Sequence, residues 1–131
     1  MTTDTAFKIT ETSASRINEV DLENPGFGQL FADHMLEMEY RDGDWQQPEI
    51  KPFGSVEVTP ALNVLHYAQS VFEGLKAYYV DENTVHLFRP EKNYERMARS
   101  CERMCIPVIP KDIFIQGIIE LVKLDHKWVP Q

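Results

Sequence analysis

The sequence predicts an α+β fold, with an antiparallel sheet of five or six strands carrying two main helices and one short helix. Three observations predict it. Residues 75–88 read as two strands about a polar turn. Residues 91–104 repeat apolar side chains at helical spacing, and residues 113–124 form a second, strongly apolar run of helical length.

Taken in order, residues 1–24 are polar with weak periodicity and are expected to be partly disordered, with order near Arg16–Val20. Residues 25–131 are expected to form one domain. Pro25-Gly26-Phe27-Gly28 is a loop, because two glycines and a proline punctuate it. Phe27 there either caps the edge of the core or reaches a ligand pocket. Residues 35–40 alternate, with Leu36, Met38 and Tyr40 facing inward and Glu37 and Glu39 facing water. Arg41-Asp42-Gly43-Asp44 is a hairpin turn in which Gly43 suits positive φ. Trp45 and then Ile50–Val58 return as the partner strand, made irregular by Pro48 and Pro52. Thr59 is the expected N-cap of a short helix over residues 61–65, with Pro60 at its first position.

Leu75–Val80 and Thr84–Phe88 pair about Asp81-Glu82-Asn83. Arg89-Pro90 ends the second strand and opens the next helix. On that helix Tyr94, Met97, Ala98, Cys101, Met104 and Cys105 make one buried stripe. Arg99 has acids at neighbouring helical positions, Glu95 and Glu102, whereas Arg96 has none. Arg96 therefore reads either as a solvated cation or as one facing a fixed anion. With Ser100 four residues on, it puts a guanidinium and a hydroxyl on one face, which suits phosphate. Glu73 is either a solvated acid at a strand end or a buried one partnered by Lys76 or Arg96. Pro110 opens the last helix, expected to be buried on most sides.

The composition is that of an ordinary soluble domain, and 131 residues are enough for one core. A formal net charge of −8 disfavours nucleic acid and anionic membrane as partners. No apolar run approaches the ~20 residues of a membrane span, and neither a signal peptide nor an Arg-rich transit peptide is evident. Cys101 and Cys105 are expected to be reduced core thiols of a cytoplasmic protein. The four histidines, His34, His66, His86 and His126, show no metal-ligand spacing, so no metal site is expected. His66 reads as a structural hydrogen-bonding residue, and His34 as an anchor for the Phe27 loop.

Three segments together resemble one family. They are Phe27-Gly28-Gln29-Leu30-Phe31-Ala32-Asp33-His34-Met35; Leu65-His66-Tyr67 followed by Val71-Phe72-Glu73-Gly74-Leu75-Lys76-Ala77-Tyr78; and Leu87-Phe88-Arg89-Pro90 with Asn93-Tyr94-Glu95-Arg96-Met97 and Ser100. Their order and separation resemble the small N-terminal domain of branched-chain amino acid aminotransferases, fold-type IV enzymes that use pyridoxal 5′-phosphate (PLP). The resemblance covers nearly everything after about Asn24. It implies transfer of the amino group of leucine, isoleucine or valine to 2-oxoglutarate, usually by a homodimer. It aligns Arg96 with the arginine that binds the PLP phosphate, and Phe27, Tyr67 and Phe72 with aromatic residues lining the substrate side-chain pocket. A tyrosine at the position of Tyr67 can reach the partner subunit's active site in this family.

The catalytic lysine lies in the family's second domain, and no lysine here sits in a segment resembling its site. No catalytic residue is therefore expected in this chain, which reads as a domain ending near the interdomain linker and inactive alone. The alternatives are the small domain of a D-amino acid aminotransferase or an aminodeoxychorismate lyase, which share the Phe72-Glu73 and Arg96-x-x-x-Ser100 elements but resemble the first segment and Leu65-His66-Tyr67 less, or a non-catalytic module binding a phosphorylated ligand or a partner domain.

Overall fold

A computed structural model describes residues 7–131. The chain is a mixed α+β structure, in line with the predicted class, with β1 (Lys8–Ile9), β2 (His34–Glu37), β3 (Tyr40–Arg41), β4 (Asp44–Trp45), β5 (Glu49–Pro52), α1 (Asn63–Tyr67), β6 (Ala77–Asp81), β7 (Thr84–Leu87), α2 (Pro90–Arg103) and α3 (Lys111–Leu124). Of the stretch expected to be partly disordered, residues 1–6 lie outside the described residues. The rest holds β1 and a 3-10 turn at Ile17–Glu19.

The strands do not form one antiparallel sheet. Among the described residues they make three small sheets, β1-β5-β2, β3-β4 and β6-β7. One pair, β1 with β5, is parallel, while β2 and β5 are antiparallel with Leu36 opposite Ile50. The expected return strand stops at Pro52 rather than Val58. Pro52 has no N–H to donate, and its partner His34 is the first residue of β2, so one more bond, from Phe53 N–H to Asp33 O (2.8 Å), exhausts the pairing. Val56 and Val58 are left about half exposed.

Local chemistry explains the turns. Asp42 (φ 57°) and Gly43 (φ 85°) both take positive φ, the geometry a two-residue hairpin loop favours. In the β6-β7 hairpin Tyr79 lies opposite Val85, with a register shift between Tyr79 and Asp81. The Asp81 carboxylate caps that turn by accepting from Asn83 N–H at 2.9 Å. Thr59 does not cap α1. The helix begins at Asn63, after a turn in which Leu62 N–H bonds to Thr59 O.

The core sits where β5 and β2 meet α3. Ile50 is fully buried and Gly117 lies at the closest approach. A Cβ at Gly117 would come within 2.6 Å of Leu36 Cδ2, so the absence of a side chain lets the helix lie on the sheet. Tyr94 and Phe114 join α2 to α3 with ring centroids 5.6 Å apart. Only Gly117 of α3 is fully buried, so that helix is less enclosed than its composition predicts.

The stripe on α2 also ends early. Cys101 is buried, but Met104 and Cys105 are exposed. Cys105 takes φ 54°, with Ile106 N–H bonded to Cys101 O and Cys105 N–H to Glu102 O, a Schellman ending in which a cysteine holds the place glycine usually takes. This left-handed step carries Cys105 off the helix face, so it is not the core thiol its spacing predicts.

Candidate functional site

The site is built on the exposed side of α2. Pro90 stands at the start of the helix, after Arg89 in a left-handed conformation (φ 49°), and this sharp reversal lays α2 beside the irregular segment that precedes β6. Asn93 Nδ2 donates to Glu73 Oε1 and to Gly74 O, both at 3.0 Å, and so pins that segment to the helix. One turn on, Arg96 Nε donates to Glu73 Oε2 at 2.7 Å, and its Nη2 donates to Glu73 Oε1. Arg96 without a helix-local acid and Glu73 in need of a cation are thus each other's partners.

The two side chains differ sharply in exposure, 3% for Glu73 and 60% for Arg96. The Arg96 guanidinium holds the Glu73 carboxyl below its ordinary range, against burial, which pushes it up. The carboxylate in turn raises the Arg96 pKa. Glu73 is therefore an ionised, enclosed acceptor, while most of the Arg96 side chain stays open.

A shallow groove lies beside Arg96 and is lined by it with Ser70, Phe72, Arg99, Ser100 and Arg103. Arg96, Arg99 and Arg103 recur along one helix at intervals of three and four, and neither Arg99 nor Arg103 forms an ion pair among the described residues. The groove is cationic within a chain that is acidic overall. Met104 also lines it, and Gln69 Nε2 donates to Met104 O at 2.8 Å. Ser100 Oγ donates to Arg96 O at 3.0 Å, so that hydroxyl spends its proton on the helix backbone.

Of the three aromatic candidates, Phe72 lines this groove, and Phe27 and Tyr67 do not. All three are highly exposed: Phe27 100%, Tyr67 80% and Phe72 89%. Phe27 stands between Gly26 and Gly28, both at positive φ, and Tyr67 ends α1. Asn93, Arg99 and Arg103 join the site only in the structure, although the spacing of the arginines on α2 is a readable signal in the sequence.

The histidines settle elsewhere. His34 does not anchor the Phe27 loop. Its Nε2 accepts from Thr12 N–H (2.9 Å), which places its proton on Nδ1, and that atom donates to Asp125 Oδ1 (2.7 Å). Beside it, Asp33 accepts from Ser15 Oγ (2.5 Å), Arg16 N–H (3.0 Å) and Trp128 Nε1 (3.0 Å). Asp33, His34 and Asp125 are all buried, and they fasten the N-terminal arm and the end of α3 to the start of β2. His66 Nε2 donates to Pro60 O at 2.6 Å, a structural role. Among the described residues no group of three or more His, Cys, Asp or Glu could hold a metal ion, and no helix is long and apolar enough to cross a membrane.

No family model matches the chain. It is 44% identical to branched-chain-amino-acid transaminase 1 of Bacillus subtilis over 112 residues, covering 85% of this chain and 32% of that protein. It is 39% identical to a branched-chain-amino-acid aminotransferase of Mycolicibacterium smegmatis over 122 residues, covering 92% and 33%. A cytosolic branched-chain-amino-acid aminotransferase of Mus musculus is 45% identical over 105 residues, covering 79% and 27%. The chain thus spans about a third of the length of the curated relatives it matches. Over that span the chain belongs to the branched-chain-amino-acid aminotransferase family.

Proposed function

We propose that this chain is the small N-terminal domain of a PLP-dependent branched-chain amino acid aminotransferase, which moves the amino group of leucine, isoleucine or valine to 2-oxoglutarate. The relatives named above support this class over D-amino acid aminotransferases and aminodeoxychorismate lyases. PLP, when bound, supplies the electron sink for the transfer. The chain's own part is to bind and to shape. Arg96 holds the cofactor phosphate, and Phe27, Tyr67 and Phe72 line the space for the substrate side chain.

The observation that carries this reading is the open face of Arg96. Its side chain is 60% exposed, its guanidinium is held by an enclosed carboxylate, and it shares a groove with two further arginines. That donor set fits a dianionic phosphate, for which arginine's planar fork is suited. The high exposure of Phe27, Tyr67 and Phe72 supports a surface completed by further protein, either the second domain or a partner subunit of a homodimer. An apolar pocket distinguishes aliphatic side chains of similar size only weakly, which agrees with one enzyme serving all three amino acids. A cytoplasmic location accords with the cytosolic mouse relative.

A single-turnover assay of this chain with PLP and leucine, following the 2-oxo acid formed, tests the division of labour. The expected result is no turnover above that of free PLP. Conversion at about 1 s⁻¹ or faster, an enzyme-like rate, would place a catalytic lysine within these residues and overturn it.

A further inference from the structure

We propose that Glu73 is a positioning residue, one that fixes Arg96 so that the guanidinium presents a single pre-formed edge to the phosphate. The inference rests on the assignment of Arg96 to that phosphate and adds to it the residue that makes the arginine selective.

A guanidinium has five N–H bonds in two forks. Glu73 occupies the fork made by Nε and Nη2, one carboxylate oxygen on each nitrogen. Three N–H bonds are left, two on Nη1 and one on Nη2; one from each nitrogen makes the end-on fork that matches two oxygens of a phosphate. A free arginine rotates about four side-chain bonds and loses that freedom on binding. Arg96 has already lost it to Glu73.

Glu73 is itself held. Asn93 donates to its Oε1 and to the adjoining carbonyl of Gly74, so the carboxylate cannot swing with the arginine toward solvent. Its side chain is 3% exposed, which keeps its charge away from a ligand in the groove, where Arg99 and Arg103 keep the field positive. The order of events along the chain is then Asn93 holding Glu73, Glu73 holding Arg96, and Arg96 holding phosphate. A purely structural ion pair would need the first two links and not the free fork.

The test compares pyridoxine 5′-phosphate with pyridoxine, which lack the aldehyde and cannot bond to lysines. The ratio of their dissociation constants isolates the phosphate contribution. Glu73→Gln keeps the shape of the side chain and removes its charge and one acceptor. It is expected to lower that ratio by about ten- to a hundredfold, by analogy with the loss of partners that orient metal-binding side chains, with pyridoxine binding unchanged. The Arg96 Nε–H resonance should also lose its protection from exchange. Glu73→Asp, which keeps the charge, should recover part of the ratio. If Glu73→Gln does not fold, Asn93→Ala, which loosens the carboxylate without removing it, is expected to lower the ratio in the same direction. A ratio unchanged in the Glu73 and Asn93 variants, while Arg96→Met abolishes it, would overturn the positioning role alone. A wild-type chain with no preference for the phosphorylated probe would overturn the Arg96 assignment, and this proposal with it.

Discussion

Replacing Asp125 by alanine removes both acceptors of His34. The wild-type carboxylate receives the His34 backbone N–H at 2.9 Å and the ring Nδ1–H at 2.7 Å. Both groups are buried, since the side chains of His34 and Asp125 are 6% and 8% exposed. The ring has no easy escape. Its Nε2 is already the acceptor for Thr12 N–H, so moving the proton to Nε2 would set two N–H groups against each other. A buried donor left without a partner costs about 1–3 kcal/mol, so two donors give about 2–6 kcal/mol. Stabilities of whole domains are only about 5–15 kcal/mol, so the loss is a large share. Urea unfolding measures it. With a slope of about 2 kcal/mol/M, the middle of the usual range, Asp125→Ala should move the midpoint down by roughly 1–3 M. The Thr12 amide should exchange faster as well. A double-mutant cycle with His34→Ala should show strong coupling, because the second loss removes the donor the first left stranded. A midpoint within about 0.3 M of wild type, or an additive cycle, would refute the reasoning.

Two further outcomes are expected. Burial pushes the Asp33 carboxyl up, but the Arg16 N–H, the Ser15 hydroxyl, the Trp128 indole and the Arg16 charge outweigh it and leave the group below its ordinary value. A carboxyl depressed in the folded state stabilises above its unfolded value, about 4, and that stabilisation is lost as pH falls through the lower folded value. Asp33→Asn should therefore reduce stability at neutral pH and flatten the acid limb of a stability profile, and an acid limb identical to wild type would contradict the assignment. In a disulfide-exchange assay Cys105 should react quickly and Cys101 only on unfolding, because Cys101 is buried and burial raises its pKa; equal native-state rates would contradict the ending described for α2.

What the sequence makes legible follows the range of the interactions. The β6-β7 hairpin rests on alternation about Asp81-Glu82-Asn83, and α2 on Pro90 and a helical stripe, and both are read within a few residues of where they form. The division into three sheets was not legible. It depends on a two-residue parallel pairing of β1 with β5 across about forty residues and on where a partner strand happens to begin. Cys105 departs from the face its spacing predicts because helical spacing carries no sign of the left-handed residue that ends the helix. The site falls between these cases. Glu73 and Arg96 each read as lacking a partner, yet Lys76 competed for Glu73 on sequence distance, and only the packing of Asn93 against Gly74 decides for Arg96. The link from His34 to Asp125 spans 91 residues and left no local mark in the sequence.

The most direct measurement of the account is the binding of pyridoxine 5′-phosphate to the chain and to its Arg96→Met variant, with pyridoxine as the control. The account predicts that the wild-type chain prefers the phosphorylated probe, that Arg96→Met loses the preference, and that pyridoxine binds both alike. Equal preference in the two proteins would show that the phosphate is held elsewhere and would contradict the role given to Arg96.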